Sequence, residues 1–256
     1  MTTVVLTIGR RYLPRGWRDL GLQLAIWFGF LLVYQIVRGI ADRDVWQAFA
    51  NGLWVMRAEE HVSDLFELSF QKMVESSHVL KVAVSWTYWM SEFAVLGGAL
   101  LWVYLRRHQY FHRFRNWVLL AAGLGLAGYV VFPTAPPRMF SWMGFDDVLA
   151  QSSSLNHGSG LVELASNQYA AMPSLHAADA LIVGITLAVI ARHWWAKVLW
   201  LLWPAWVSFA VMATANHFWL DCAAGAVVAI AAGAFVHRDI VFRKRSLRFR
   251  RAHSAI

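Results

Sequence analysis

Residues 218–236 read FWLDCAAGAVVAIAAGAFV, an apolar run in which Asp221 carries the only charge. A helix needs about 20 predominantly apolar residues to cross the hydrocarbon core of a bilayer, so this run predicts a transmembrane helix. Five further runs of the same character precede it along the chain, at residues 20–37, 82–105, 117–132, 171–190 and 197–213. The sequence therefore predicts an all-α fold, a polytopic membrane protein built as a bundle of six transmembrane helices.

The composition also indicates a membrane protein. Hydrophobic residues make up 59% of the 256 residues and charged residues 15%, a ratio too apolar for the surface of a soluble globule. Fifteen tryptophans agree with this, because indole rings collect at the headgroup level of bilayers. The net charge of +8 does not indicate a nucleic-acid partner, since the basic residues lie beside the apolar runs. The single cysteine, Cys222, excludes an internal disulfide framework.

Two polar stretches separate predicted spans. Residues 44–77 mix charges with apolar side chains and predict one or two amphipathic helices on the membrane surface, between the first two spans. Residues 133–167 are rich in Pro, Ser and Gly and predict a loop, with room for a short helix. Neither stretch has the character of a linker, and no fixed-period repeat is apparent. We therefore expect a single membrane domain over residues 1–256.

The lysines and arginines predict the orientation of the chain. They concentrate near the N-terminus, after the second and fourth predicted spans, and in a basic cytoplasmic tail at residues 237–256. Because cytoplasmic connections carry an excess of Lys and Arg, both termini are expected in the cytoplasm of a cell-membrane protein. The tail is then expected to contact anionic membrane lipids. The first, third and fifth connections between predicted spans are expected outside the cell. Residues 152–154 belong to the third of them.

Two of three polar motifs on that outer side offer groups that bind anions. PTAPPR at residues 133–138 places Arg138 in a proline-stiffened loop, where its guanidinium can hold two phosphate oxygens. MPSLH at residues 172–176 opens the fourth predicted span. Pro173 suits the first helical turn, where free backbone amides and the hydroxyl of Ser174 can bind an anion.

The third motif, NHFWLD at residues 216–221, enters the sixth predicted span. His217 and Asp221 lie four residues apart, hence on one helical face, so the carboxylate can hold the imidazole in one tautomer. Each motif also fits a simpler interpretation. Arg or His at the end of a span is often an interfacial anchor, and two His with one Asp can bind zinc. The coincidence of all three motifs at one depth favours an active site.

The motifs resemble those of the type 2 phosphatidic acid phosphatase superfamily. Pro173, Ser174 and His176 match its Pro-Ser-Gly-His motif, and His217 with Asp221 match its final motif of His, three residues and Asp. The Pro-Pro-Arg sequence at residues 136–138 resembles the first motif of one branch of the superfamily, the branch that is similar to inositol phosphorylceramide synthase. The resemblance covers residues 115–236, which would form the catalytic core.

This resemblance implies phosphoryl transfer at a lipid phosphate ester, with no metal and no cofactor. His217 would attack phosphorus to form a phosphohistidine, and Asp221 would stabilise the resulting imidazolium. His176 would protonate the leaving oxygen and then act as base for the acceptor. Arg138, Ser174 and helix N-terminal amides would stabilise charge on the equatorial phosphate oxygens.

The sequence departs from the superfamily pattern at several positions. Leu175 stands where many relatives have Gly, so a phosphate contact there would come from its backbone N–H. The Ser-Arg pair found upstream of the final His falls on Ala210 and Val211, which removes one phosphate-binding arginine. The Lys of the first motif has no counterpart at the usual offset from Arg138. These departures favour the synthase-like branch over the ordinary phosphatases.

Two carboxylates inside predicted spans are further candidates for binding substrate or acceptor. Asp179 follows His176 by three residues on nearly the same helical face, and Glu92 lies near the middle of the second span. A capping or packing role is the alternative for each.

Water as acceptor would make the protein a lipid phosphatase, and a sugar or inositol hydroxyl would make it a phosphotransferase. A transporter is a third hypothesis, which the lack of an internal repeat disfavours. Oligomeric state stays open.

Overall fold

The described part of the computed structural model, residues 13–41, 44–62, 65–151 and 168–239, contains nine α-helices and no strand. The all-α prediction is confirmed for these residues. The helices are α1 (Gly16–Ala41), α2 (Val45–Glu60), α3 (Phe66–Glu75), α4 (His78–Met90), α5 (Leu96–Arg106), α6 (His108–Val131), α7 (Leu175–Ile190), α8 (Trp194–Ala213) and α9 (Trp219–Val236).

Four of these helices are long and apolar enough to cross a membrane: α1 over Gly16–Val37, α6, α8 and α9. Their outward faces carry large apolar side chains, such as Phe28 at 68% exposure in α1, which a bilayer would cover. The chain is therefore a membrane protein. The count of six crossings stays a prediction, because α5 and α7 are apolar but shorter.

The second predicted span is not one uninterrupted α-helix. A π-helical turn, Ser91–Val95, joins α4 to α5. Single π turns inside α-helices occur often at functional sites, because they rotate the side chains that follow them. Glu92 lies in this turn, which decides the direction of its carboxylate.

Helix α7 lies at the centre of the bundle. It packs against α5, α6, α8, α9 and the π turn, and its residues are apolar on nearly every side, as expected of an enclosed helix. Its start approaches α9 very closely at Gly225, where a methyl group would lie 2.1 Å from the carbonyl oxygen of Ser174. Glycine at this position thus allows the second and third motifs to meet.

The start of α7 differs from the sequence prediction. The span was expected from residue 171 with Pro173 in the first helical turn, but the helix begins at Leu175. Ser174 is the N-cap, and its hydroxyl accepts a hydrogen bond from the Ala177 amide at 3.3 Å. Pro173 therefore precedes the helix, and the Met172–Pro173 peptide bond is cis.

The described residues of the two polar stretches cover one end of the bundle. Residues 44–77 contain α2 and α3, and Ala48, Val55 and Met56 of α2 form a buried cluster with Phe140 and Phe218. In the predicted loop, Pro137–Met139 and Ser141–Met143 form short 3₁₀ turns. A position of α2 and α3 on the membrane surface stays a prediction.

Basic side chains gather at the opposite end. Arg15 before α1 contacts His112 near the start of α6 at 3.3 Å, and Arg113 pairs with Asp239 after α9 at 2.7 Å. Helix α6 carries the chain from this end to the first motif, a distance of about 36 Å at 1.5 Å per residue. Residues 152–154 and most of the basic tail lie outside the described residues.

The predicted orientation can be tested with two cysteine substitutions at exposed positions. Gln151→Cys, at the motif end, should react with a membrane-impermeant thiol reagent in intact cells. Arg192→Cys, between α7 and α8, should react only after permeabilisation. The native Cys222 is buried and gives the background in the unsubstituted protein. The reverse pattern would place the motifs on the cytoplasmic side.

Candidate active site

Two hydrogen bonds hold the first motif against α2 and against the turn that precedes the third motif. The side-chain amide of Asn51 in α2 donates to the Pro133 carbonyl at 2.8 Å, and the Arg138 amide donates to the Ala215 carbonyl at 2.7 Å. Ala215 has a left-handed backbone, with φ at 55°, and turns the chain sharply after α8. This turn presents the third motif to Arg138.

The guanidinium of Arg138 lies beside the third motif. Its Nη1 donates to Oδ1 of Asn216 at 2.6 Å, and its Nε lies 3.8 Å from Oδ2 of Asp147. The side chain is only 9% exposed, and this burial lowers the pKa of Arg138. Because Asn216 immediately precedes His217, this contact brings the guanidinium of Arg138 close to the third motif's histidine.

The imidazole of His217 is held through its Nδ1. The carbonyl oxygen of Ala171 lies 2.9 Å from Nδ1, and Oδ2 of Asp221 lies 3.6 Å from the same nitrogen. A carbonyl can only accept, so Nδ1 carries the proton and Nε2 has the free lone pair. The spacing of the third motif predicted that Asp221 orients the imidazole of His217, but the carbonyl of Ala171 is the nearer partner.

His217 and Asp221 do not share a helical face as predicted. Helix α9 begins at Trp219, so His217 lies before its N-cap, Phe218. The helix begins there because Oδ2 of Asp221 accepts a hydrogen bond from the Phe218 amide at 2.8 Å. The imidazole and the carboxylate still approach each other, now across the cap.

His176 lies in the first turn of α7. Its Nε2 is 3.3 Å from Oε2 of Glu92, and the ring of Tyr88 stacks on it with centroids 4.5 Å apart. The ring centroids of His176 and His217 are 5.6 Å apart. One phosphoryl group could thus contact both imidazoles.

Ser174 and Leu175 pack beside the site. Ser174 is fully buried, and its amide donates to the Asp221 carbonyl at 2.9 Å. Leu175 packs its side chain into the core. Both residues fix the start of α7, and direct phosphate contacts from them stay predictions.

Asp179 lies one helical turn beyond His176 and is 6% exposed. Within the described part of the chain, no group hydrogen-bonds its Oδ1. Among those same residues, no three His, Cys, Asp or Glu side chains are grouped as they would be around a metal ion. The contacts described above bring together five of the predicted site residues: Arg138, His176, His217, Asp221 and Glu92. Glu92 joins this group through its contact with His176.

Sequence reasoning missed several groups that shape the site. Tyr88 precedes Glu92 by four residues, and this helical spacing could have drawn attention to it. Asn216 belongs to the third motif but had no assigned role. Asp147 and the carbonyl of Ala171 had no detectable signal, because one lies in an irregular loop and the other is a backbone group.

A family model described as the PAP2 superfamily matches residues 53–235. The chain belongs to this superfamily. The match contains all three motifs together with Glu92. Among curated proteins there is no significant match. The crystal structure of Aquifex aeolicus LpxE is similar, with a TM-score of 0.48 and 17% sequence identity, over 66% of this chain and 92% of that chain.

Membership of the PAP2 superfamily supports a membrane enzyme that performs phosphoryl transfer of the lipid-phosphatase type, and disfavours the transporter hypothesis. Val211, at the position of the missing family arginine, is fully buried. Its carbonyl accepts hydrogen bonds from the amides of Asn216 and His217 at 3.0 and 3.2 Å. This position thus shapes the turn that carries the third motif.

Proposed function

We propose that this PAP2 protein cleaves a lipid phosphate ester in two steps through a phosphohistidine at His217. The observation that carries the proposal is the pair of imidazoles, 5.6 Å apart, each beside its own carboxylate. Such an arrangement offers a nucleophile and a general acid on two sides of one phosphorus atom.

In the first step, Nε2 of His217 attacks phosphorus, a P–N bond forms and the ester P–O bond breaks. The imidazole becomes positively charged, and Asp221 at 3.6 Å stabilises that charge. The Ala171 carbonyl keeps the proton on Nδ1 throughout. The leaving oxygen takes a proton from His176, so the product leaves as a neutral alcohol.

In the second step, His176 takes a proton from the acceptor, whose oxygen attacks the phosphohistidine and breaks the P–N bond. Glu92, whose Oε2 lies 3.3 Å from Nε2 of His176, would stabilise the imidazolium that donates the proton in the first step. Arg138 stabilises the negative phosphate oxygens during both steps. Asp179 and Glu92 are candidates for binding the acceptor.

The acceptor distinguishes the phosphatase from the synthase-like transferase, an alternative supported by Pro-Pro-Arg at residues 136–138. Purified protein would be incubated with phospholipids labelled in the phosphate, with and without inositol or sugar alcohols. Free phosphate released at equal rates in both arms indicates a phosphatase, and label in the added alcohol indicates a transferase. No reaction in either arm would contradict the proposal.

We also predict that the reaction needs no metal ion, because the two histidines and Arg138 supply the nucleophile, the acid and the cation. Activity should be unchanged by EDTA and inhibited by vanadate, which adopts the five-coordinate geometry of the reacting phosphorus. The measurement is phosphate release before and after chelation. Activity that disappears with EDTA and returns with zinc or magnesium would contradict this prediction.

A further inference from the structure

Two glutamates outside the proposed reaction are enclosed at the start of α9. Glu59 lies in the last turn of α2 and Glu67 in the first turn of α3, and their exposures are 0% and 1%. Among the residues that the structure describes, the titratable groups that act on them are acids: each other, Asp221 and, for Glu67, Cys222 of α9. Buried carboxylates normally have a cation or a set of donors, so this pair requires a physical explanation.

Each glutamate caps the backbone of α9. Oε1 of Glu67 accepts from the Trp219 amide at 2.8 Å, and Oε1 of Glu59 accepts from the Leu220 amide at 2.8 Å. Oδ2 of Asp221 accepts a hydrogen bond from the preceding amide, that of Phe218. Three successive amides that a helix start leaves unpaired are thus satisfied by three carboxyl groups, at the positive end of the helix dipole.

The second oxygen of each glutamate is buried as well. Among the described residues, neither Oε2 has a donor, and the two carboxyl groups are neighbours because they accept from the adjacent amides of Trp219 and Leu220. One proton placed between the two carboxyl groups satisfies both oxygens and removes one of two adjacent buried charges. Burial, followed by the neighbouring acids, raises the pKa of Glu59 to about 9, and burial also raises the pKa of Glu67.

We propose that Glu59 and Glu67 share one proton as an acid–carboxylate pair that clamps the first turn of α9 and so positions His217 for attack. Both are positioning residues, because their contacts are with the α9 backbone. His217 lies two residues before Trp219, so movement of this turn displaces its Nε2. The catalytic part of the inference rests on the proposed function, and the shared proton does not.

Glutamine substitutions test the pair. In Glu59→Gln or Glu67→Gln, the amide oxygen still accepts from α9 and the NH₂ group replaces the shared proton. We expect each single variant to keep kcat and Tm close to those of the wild type. In the double variant, two NH₂ groups face each other without an acceptor. Its kcat should fall by ~10²-fold with little change in KM, as expected for a misplaced reacting group.

Infrared spectroscopy gives a readout that does not need activity or the double variant. Difference spectra cancel the buried carboxyl groups that the proteins share, such as Asp179, so the wild type minus each single variant should show the carbonyl stretch of one buried protonated carboxyl group. Glu60→Gln is the matched control, since it removes the same charge at an exposed neighbour and should retain the stretch. Difference spectra without this stretch would overturn the shared proton.

The pair also predicts the direction in which stability changes with pH. Folding raises the pKa of Glu59 from 4.5 to about 9, so the folded state holds a proton that the unfolded chain releases. This contribution to stability is complete below about 4.5 and is lost as pH rises to about 9. The decline in Tm over this range should be shallower in Glu59→Gln than in Glu60→Gln.

The other possible results separate three claims: the positioning role of the pair, the shared proton and the proposed function. A double variant with normal kcat would overturn the positioning role, and single variants as impaired as the double variant would overturn the shared proton. A wild type that transfers no phosphate would contradict the proposed function. The infrared and thermal measurements would still test the pair in that protein.

Discussion

His217→Ala should abolish turnover of every substrate. Without the imidazole no phosphohistidine can form, and neither the acid nor Arg138 can replace a covalent nucleophile. Loss of a nucleophile in covalent catalysis typically lowers kcat on the order of 10⁵- to 10⁶-fold. Phosphate release should therefore be at background, both from a phospholipid and from p-nitrophenyl phosphate.

The alanine variant also leaves the Ala171 carbonyl without its donor, so a second variant is needed to separate chemistry from folding. His217→Asn places a side-chain N–H near the position of Nδ1 and should retain the fold, while lacking a nucleophile. Tm in detergent would be compared for both variants. A folded His217→Asn protein with substantial turnover would contradict the assignment of His217.

His176→Ala should have an effect that depends on the leaving group. A lipid alkoxide leaves poorly without a proton, so the rate on a phospholipid should fall by ~10²- to 10⁴-fold, the usual contribution of acid–base catalysis. The phenolate of p-nitrophenyl phosphate departs unprotonated. Phosphoenzyme formation from that substrate should therefore stay measurable in a rapid-quench experiment.

The matched control for this substitution is His193→Ala, which removes an exposed histidine after α7 and should leave both rates unchanged. Glu92→Gln should share the substrate dependence of His176→Ala in a weaker form, since it removes only the charge beside the acid. Equal losses on both substrates in His176→Ala would contradict the role of general acid.

Apolar runs predicted the helices well where composition is continuous. The runs at 197–213 and 218–236 correspond to α8 at Trp194–Ala213 and α9 at Trp219–Val236. Helix α6 was predicted from residue 117 but begins at His108, because its first turns carry Arg and His beyond the apolar segment. The π turn at Glu92 had no signal, since the residues around it are ordinary helix formers.

The distribution of basic residues predicted that Arg138, His176 and His217 lie at one depth, because each then lies beside a span end on the same side. It could not predict which groups orient them. The Glu59 and Glu67 caps are separated from α9 by 161 and 152 residues, so no local period relates them to it. Their stretch appeared only as an amphipathic surface, and their burial follows from the way α2 and α3 fold over α9.

Trapping the phosphoenzyme tests the central claim most directly. The wild type would be mixed with substrate carrying radiolabelled phosphate, quenched in alkali within the first turnover to preserve phosphohistidine, and digested for peptide mapping. We predict label on the peptide that contains His217, and none on that peptide in His217→Asn. Label on the His176 peptide, or label retained in His217→Asn but lost in His176→Ala, would contradict the account.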